Sequence, residues 1–430
     1  MLRQHKIFCI GLGKLGLMFS QVLAEKNIGT LGYDINKNTV KDILKNKKFI
    51  EPNLNYLLKK NRKNFSIVKS IEEGIKKSSS AFLILPTPSK KNHEFDNRYI
   101  ENCLNEIGKY LKSKKNYLIN ITSTVNPGSS ENFIYNLEKK FKLTHGKNFI
   151  LTYNPHLIAL GSIYNDIINS DLVLIGSNNP KGFEILKNIY KKVYKNNINK
   201  LKFLNLKEAE ISKIAINSYI TTKISYTNLI SQIADKEKNI NSSKILQTIG
   251  SDKRIGNKYL SVGALYSGPC FPRDNLNFIK YLRKNKLNYS LLKATDNVND
   301  YQIHRYLTLL SNLKKKFNTN PSVGLCGLSY KENTDVNTKS PAIEIYKKIN
   351  KKHKIYFFDT YKIEKENKLK CEKNLKDFFN KSDIIFICYK NPKFKKISQY
   401  KSRKKKIIID LWDYIPTKNK FLNFIKLGIS

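Results

Sequence analysis

The chain has 430 residues, with 79 Lys and Arg against 34 Asp and Glu (net charge +45), 40% hydrophobic residues and 26% charged ones. That size and composition suit two or three folded domains and exclude a disordered chain, and no run approaches twenty apolar residues, which excludes a membrane-spanning helix. The charge invites a nucleic-acid reading, but lysine, asparagine and isoleucine are enriched throughout. Basic runs such as Lys112-Ser113-Lys114-Lys115 and Arg403-Lys404-Lys405-Lys406 lie between apolar segments and read as solvated faces, so neither a nucleic-acid nor a membrane partner is expected.

Six cysteines (9, 103, 270, 326, 371 and 388) are scattered with no CxxC pair, which gives no metal framework and fits a reducing cytoplasm. Residues 7–19 are apolar but broken by three glycines and a lysine, with no cleavage-site pattern; they read as strand and turn rather than a signal peptide. Residues 6–10 make a short buried-type strand, followed by Gly11-Leu12-Gly13-Lys14-Leu15-Gly16 and an amphipathic stretch to Lys26. A second strand, 29–34, ends in Asp34. A GxGxxG alone is weak, but between a strand and a helix, with an acid closing the next strand, it is a strong dinucleotide fingerprint. The glycines let backbone approach a pyrophosphate at a helix N-terminus. Asp34 would accept from the adenosine ribose and repel a 2′-phosphate, so NAD is expected rather than NADP.

Further apolar strands follow at 81–85, ending in Pro86-Thr87-Pro88, and at 117–121, ending in Thr122-Ser123-Thr124-Val125. Another at 149–153 leads into Asn154-Pro155-His156, and a last one at 172–175 closes a six-stranded domain of about 200 residues. In doubly wound sheets ligands bind at these carboxyl ends. From 207 to 238 the period turns helical, with Ala209, Ile211, Ile214, Ala215, Tyr219, Ile220 and Ile224 as one apolar stripe. Lys213 and Asn217 share a face of it. Mid-helix lysines are usually solvated, yet the alanine and isoleucine neighbours leave a buried or ligand-facing position open. So long a helix suits a central connector and dimer interface.

Residues 268–274 read Gly268-Pro269-Cys270-Phe271-Pro272-Arg273-Asp274. A lone cysteine in a proline-bracketed loop is either a small buried hydrophobe or a nucleophile tuned by the charges beside it. Helical segments continue to about 312. A strand running into a glycine turn at 322–331, then strands at 355–359, 384–388 and 407–410, form a second sheet without a full glycine fingerprint. The expected fold is α/β: two Rossmann-like doubly wound domains joined by a central helical dimerisation region. The expected boundaries are 1–200, 201–312 and 313–430.

Together these motifs resemble the UDP-glucose/GDP-mannose dehydrogenases nearly end to end. They are Gly11-x-Gly13-x-x-Gly16, Glu51-Pro52, Pro86-Thr87-Pro88, Ser123-Thr124-Val125, Glu210-x-x-Lys213-x-x-x-Asn217, Arg254-Ile255-Gly256, the Cys270 loop and Gly327-Leu328-Ser329-Tyr330-Lys331. The Cys270 loop is most like the UDP-glucose branch. The resemblance implies a four-electron oxidation of a sugar C6 alcohol to an acid with two NAD, through a thiohemiacetal and thioester on Cys270. It implies that Lys213 stabilises charge on the substrate oxygen and that Asp274 positions or activates water with Thr124 and Asn217. By the same resemblance, Lys14, Leu15, Pro86, Thr87, Thr124 and Arg273 would join the glycines and Asp34 in holding the cofactor. The resemblance also implies that Leu157, Lys213, Asn217, Tyr259, Gly268 and Lys331 face the nucleotide sugar, with Arg254 reaching over from the partner of a homodimer.

The chain also departs from the family. Where the family reads Asn-Pro-Glu-Phe-Leu-x-Glu-Gly, this chain has Asn154-Pro155-His156-Leu157-Ile158-Ala159-Leu160-Gly161, so both carboxylates are missing. A neutral His156 can act as a base near pH 7, or it can be a packed side chain. Thr338 stands where the family often has an arginine. The alternative to an active dehydrogenase is therefore a protein that binds NAD and a nucleotide sugar with little or no turnover.

Overall fold

Among the described residues thirteen strands, all but the edge ones largely buried, build two mainly parallel α/β sheets. The computed structural model describes residues 6–195, 197–349, 352–361, 369–417 and 419–429. It divides into two units, Met1–Ala215 and Ile216–Ser430.

The first unit holds β1 (Ile7–Ile10), β2 (Thr30–Tyr33), β3 (Phe65–Ile67), β4 (Ser80–Leu83), β5 (Tyr117–Ile121), β6 (Phe149–Tyr153), β7 (Val173–Gly176) and β8 (Leu201–Leu204). They lie in the order β3-β2-β1-β4-β5-β6-β7-β8, and every neighbouring pair is parallel except β6 with β7. Helices cover both faces, so the strands are apolar on both sides. Alternate residues feed two cores: Phe8, Ile10, Ala81, Leu83, Ile119 and Ile121 one, and Ile7, Cys9, Phe82, Leu118 and Ile150 the other. The sheet has eight strands, not the expected six. The additions are the edge strands β3 and β8, which are short or half-exposed and so lack a continuous apolar run. Strand order reverses between β1 and β4, which makes the carboxyl ends of these strands the ligand crevice of such a sheet.

The helix Leu206–Ile233 crosses the division between the units. Its stripe differs from the expected one. Tyr219 is 67% exposed, and the buried face is largely polar, with Asn217, Ser218, Thr221, Ser225, Asn228 and Ser231. Hydrogen bonds replace apolar packing there: Thr222 meets Thr295 at 3.1 Å, Ser225 donates to the Thr295 carbonyl at 2.8 Å, and Arg305 reaches Ser231 and Asp235. The second unit continues with helices Ser242–Ser251, Phe271–Lys284 and Ser290–Lys314. It closes on β9 (Val323–Cys326), β10 (Ile355–Phe358), β11 (Ile384–Ile387), β12 (Ile407–Asp410) and β13 (Asn423–Lys426), all parallel in the order β10-β9-β11-β12-β13. This is the second Rossmann-like sheet expected from the sequence. Among the described residues no helix is long and apolar enough to cross a membrane.

Candidate active site

In the first unit the chain leaves β1 through Gly11, whose φ of +94° favours glycine. A Cβ there would stand 2.3 Å from the Ile84 carbonyl oxygen, and one at Gly16 would stand 1.9 Å from the Gly11 carbonyl oxygen. These two glycines let strand, loop and helix pack through bare backbone. Gly13 is different: a Cβ there would meet nothing within 4 Å. Its missing side chain leaves open space at the start of helix Lys14–Glu25, which has no acid in its first turn and no side-chain cap. A helix end of that kind favours an anion. Lys14 and Leu15, both half-buried, form its first turn. Asp34 closes β2; it accepts from Leu12 N at 2.7 Å and from Asn36 N at 2.8 Å. Beyond β4, Pro86 is exposed, while buried Thr87 donates its hydroxyl to the Thr124 carbonyl at 2.7 Å, tying the loops after β4 and β5 together.

The loop after β6 carries His156 and Leu157, both half-buried as residues. Buried Glu51 holds its far end, accepting from Gly161 N at 2.8 Å and Ile163 N at 2.9 Å. The His156 ring packs on Phe19 with centroids 4.5 Å apart, and its Nε2 is shut from solvent with no hydrogen-bond partner among the described residues. Burial, and then the Lys213 ammonium, push its pKa down to about 4, so the ring is neutral near pH 7. Lys213 is only 7% exposed and has neither a hydrogen bond nor an ion pair with any described residue. A nearly buried, unpaired cation is costly unless something anionic meets it.

In the second unit Cys270 is exposed and stands at the N-cap of helix Phe271–Lys284, at the positive end of the helix dipole. One turn on, Asp274 is fully buried and donates its backbone N–H to the Cys270 carbonyl at 2.8 Å. The Asp274 carboxylate accepts from Asn217 Nδ2 at 2.6 Å and from Arg273 Nε at 2.9 Å and Nη2 at 2.8 Å. Gly268, with φ +82°, donates to the Thr338 carbonyl at 2.9 Å, and a Cβ there would lie 2.7 Å from the Tyr330 ring. The Cys270 loop is thus fastened to the loop after β9, which also carries the half-buried Lys331. Tyr259 is 47% exposed, has a φ of +65° that is strained for an aromatic residue, and meets the Phe271 ring edge-on. Arg254 points into solvent and pairs with Asp252 at 2.6 Å.

Models of the UDP-glucose/GDP-mannose dehydrogenase family match over residues 5–194 (NAD binding domain), 207–301 (central domain) and 324–417 (UDP binding domain). The chain belongs to this family. It is an oxidoreductase of the nucleotide-sugar dehydrogenase class, with NAD as cofactor. A UDP-glucose 6-dehydrogenase of Rickettsia prowazekii is 30% identical over 424 residues, covering 94% of each chain. The Bacillus subtilis UDP-glucose 6-dehydrogenase TuaD is 27% identical over 348 residues, covering 79% of this chain and 72% of that protein. Among solved structures, a UDP-glucose dehydrogenase from Pyrobaculum islandicum shares the fold with a TM-score of 0.87 at 24% identity, over 99% of this chain and 98% of that one.

The residues present fit NAD: open space at Gly13, an uncapped helix end for the pyrophosphate, and Asp34 at the end of β2. Arg273 sets its guanidinium on Asp274. Two carboxylates that sequence reasoning gave no role, Glu51 and Glu210, accept from backbone amides in the segments after β6 and β5. Both stand in motifs noted above, but their partners lie 80 or more residues away, so no local pattern shows what they hold.

Proposed function

We propose that the chain oxidises a UDP-sugar, UDP-glucose or a close relative, at C6 to the uronic acid. The observation that carries this reading is the exposed Cys270 thiol at a helix N-terminus, one turn from a fully buried carboxylate already oriented by Asn217 and Arg273. Bound NAD supplies the hydride acceptor for both oxidations. The C6 alcohol gives up a hydride and a proton, and Cys270 Sγ adds to the resulting aldehyde carbon, so no free aldehyde escapes. Loss of a second hydride from C6 leaves a thioester. Water cleaves its C–S bond, releasing the acid and restoring the thiol. The unpaired Lys213 ammonium matches the charge that develops on the substrate oxygen. Asp274, Asn217 and Thr124 hold the water. Leu157, Tyr259, Gly268 and Lys331 face the nucleotide sugar, and Arg254, free of any intramolecular role beyond Asp252, reaches the partner subunit's substrate.

The boundaries that go with this reading are a cofactor domain to about 200, a helical connector to 312 and a nucleotide-sugar domain beyond, in a cytoplasmic homodimer. Support for the dimer comes from Tyr219, Tyr226, Leu229 and Ile233, which are 67%, 48%, 49% and 41% exposed. Their spacing is that of a heptad seam on the helix Leu206–Ile233, fit to pair with a second copy. Sedimentation velocity tests it, and a monomer at micromolar concentration would remove it.

Turnover is tested by counting NADH per sugar consumed across UDP- and GDP-sugars. Two NADH per UDP-glucose are expected, and Cys270→Ala should abolish acid formation while NAD still binds; no NADH with any sugar sinks the reading. A stalled thioester is the second outcome to watch. It is favoured by His156, whose Nε2 is shut from solvent and so is poorly placed to take a proton from the attacking water where the family has a carboxylate. Two NADH per Cys270 followed by arrest, with the acyl adduct visible in intact-protein mass spectrometry, would establish it.

A further inference from the structure

Glu210 lies on helix Leu206–Ile233, one turn before Lys213, with no exposed surface. Its carboxylate accepts from the backbone N–H of Gly128 at 2.5 Å and of Ser130 at 2.8 Å. Those amides open the helix Ser129–Phe141, whose N-cap is Gly128 at φ +89° and has no side chain with which to cap it. The first N–H groups of a helix need an acceptor, and its N-terminal dipole favours a negative one. Here the acceptor comes from another helix. The segment so fastened, residues 122–128, follows β5 and carries Thr124, whose carbonyl in turn holds Thr87 at 2.7 Å.

We propose that Glu210 is a positioning residue of the oxidation, a clasp that keeps the Thr124 loop in register with the helix bearing Lys213. The inference rests on the reading that Thr124 and Lys213 act on the substrate. A cap needed only for helix stability could be supplied locally by Ser, Asp or Asn at the N-cap. Burying a carboxylate instead is expensive. Burial raises the Glu210 pKa to about 7 even against the two amides and the Ser130 side chain, and Glu131 on the capped helix adds to the rise. What the remote carboxylate adds over a local cap is a fixed distance between two elements that each carry a functional group. Reacting groups must be held to a fraction of an ångström, and small misplacements cost rate rather than binding.

Glu210→Gln is the first test. The amide keeps the shape but turns an NH2 toward one of the two backbone donors. The expected result is a fall in kcat of about tenfold or more, with KM for the sugar nucleotide and the NAD Kd (read by fluorescence titration) moving less than about threefold. Hydrogen exchange at Gly128 and Ser130 should rise in parallel. Wild-type kcat, or a lower kcat with unchanged exchange at those amides, overturns the proposal. Should that variant fail to fold, Glu210→Asp keeps the charge on a shorter arm. It should show an intermediate loss of kcat, and full activity in it is equally fatal. Thr124→Ala and Lys213→Ala are made alongside. If those two retain activity, the site reading has failed; if they lose it and Glu210→Gln does not, the clasp alone has.

Discussion

The turns after β1 and after β9 share a backbone and differ in what they do with their acid. Gly11 and Gly327 both have φ +94°, and each donates its N–H, at 2.8 Å, to the carbonyl of the last residue of the neighbouring strand, Tyr33 or Phe358. Each neighbouring strand is followed by an aspartate that accepts from the residue after the glycine, Leu12 N at 2.7 Å or Leu328 N at 2.6 Å. Beyond this the turns part. Asp34 takes one more backbone N–H, from Asn36. Asp359 takes three more donors: Ser329 N at 3.0 Å, Tyr361 N at 3.0 Å and the Tyr389 hydroxyl at 2.9 Å. Gly13 and Gly16 let a helix start at once after the first turn, whereas the second has Ser329 and Glu332 in their places and its next helix begins only at Pro341. A strand, a glycine and an acid therefore specify the turn. The later glycines decide whether it is open to a pyrophosphate or closed as a staple.

The largest effect expected from this difference is on stability. Asp359→Ala leaves three backbone N–H groups and a tyrosine hydroxyl without their acceptor, which should cost about 3–5 kcal/mol at about 1–3 kcal/mol for each poorly resolvated group. Denaturant unfolding measures it. A loss below about 1 kcal/mol would mean that Asp359 is not a staple and that the two acids are alike.

The central strands were legible because a parallel sheet covered on both faces demands continuous apolar runs, and residues 7–10, 117–121 and 384–387 supply them. β3 and β8 were not, since Phe65-Ser66-Ile67 is three residues long and the central residues of β8, Lys202 and Phe203, are exposed. Periodicity also misread the long helix. Apolar Tyr219 faces solvent while Ser218 and Thr221 are buried, because hydrogen-bonding partners on helices Phe271–Lys284 and Ser290–Lys314 override hydropathy there. Of the site, the residues carried by local motifs were legible: the Gly11 turn and the Cys270 loop. The Asn217–Asp274 hydrogen bond, the Glu51 and Glu210 clasps and the Thr338–Gly268 hydrogen bond depend on distant partners or on backbone atoms, and spacing does not reveal these contacts.

The next effect in size tests the other acid. Asp34→Ala should change unfolding free energy by only about 1 kcal/mol, since it removes acceptors from two N–H groups near the surface. It should raise the NAD Kd about tenfold and narrow the preference for NAD over NADP, because the ribose loses an acceptor and a 2′-phosphate is no longer repelled. Titration with both dinucleotides reads this directly. An unchanged NAD Kd beside a large stability loss would make Asp34 a second staple.

The smallest expected effect is a slope with pH. Burial outweighs the donors around Asp359 and holds its pKa above the ordinary 3.8. The folded state therefore keeps this proton at a pH where the unfolded chain has released it. The contribution is fully present below pH 3.8 and fades as pH rises through the folded value. Asp359→Asn cannot titrate, so its deficit relative to the wild type should be largest in acid and shrink toward neutrality. Comparing the two proteins by denaturant unfolding at several pH values cancels the titration of every other group. A deficit that instead grows with pH would mean that the ionised carboxylate is the favoured form in the fold. The four donors would then more than offset burial, and Asp359 would be a ready-made anionic acceptor like Asp34 rather than a charge retained for the shape of the turn.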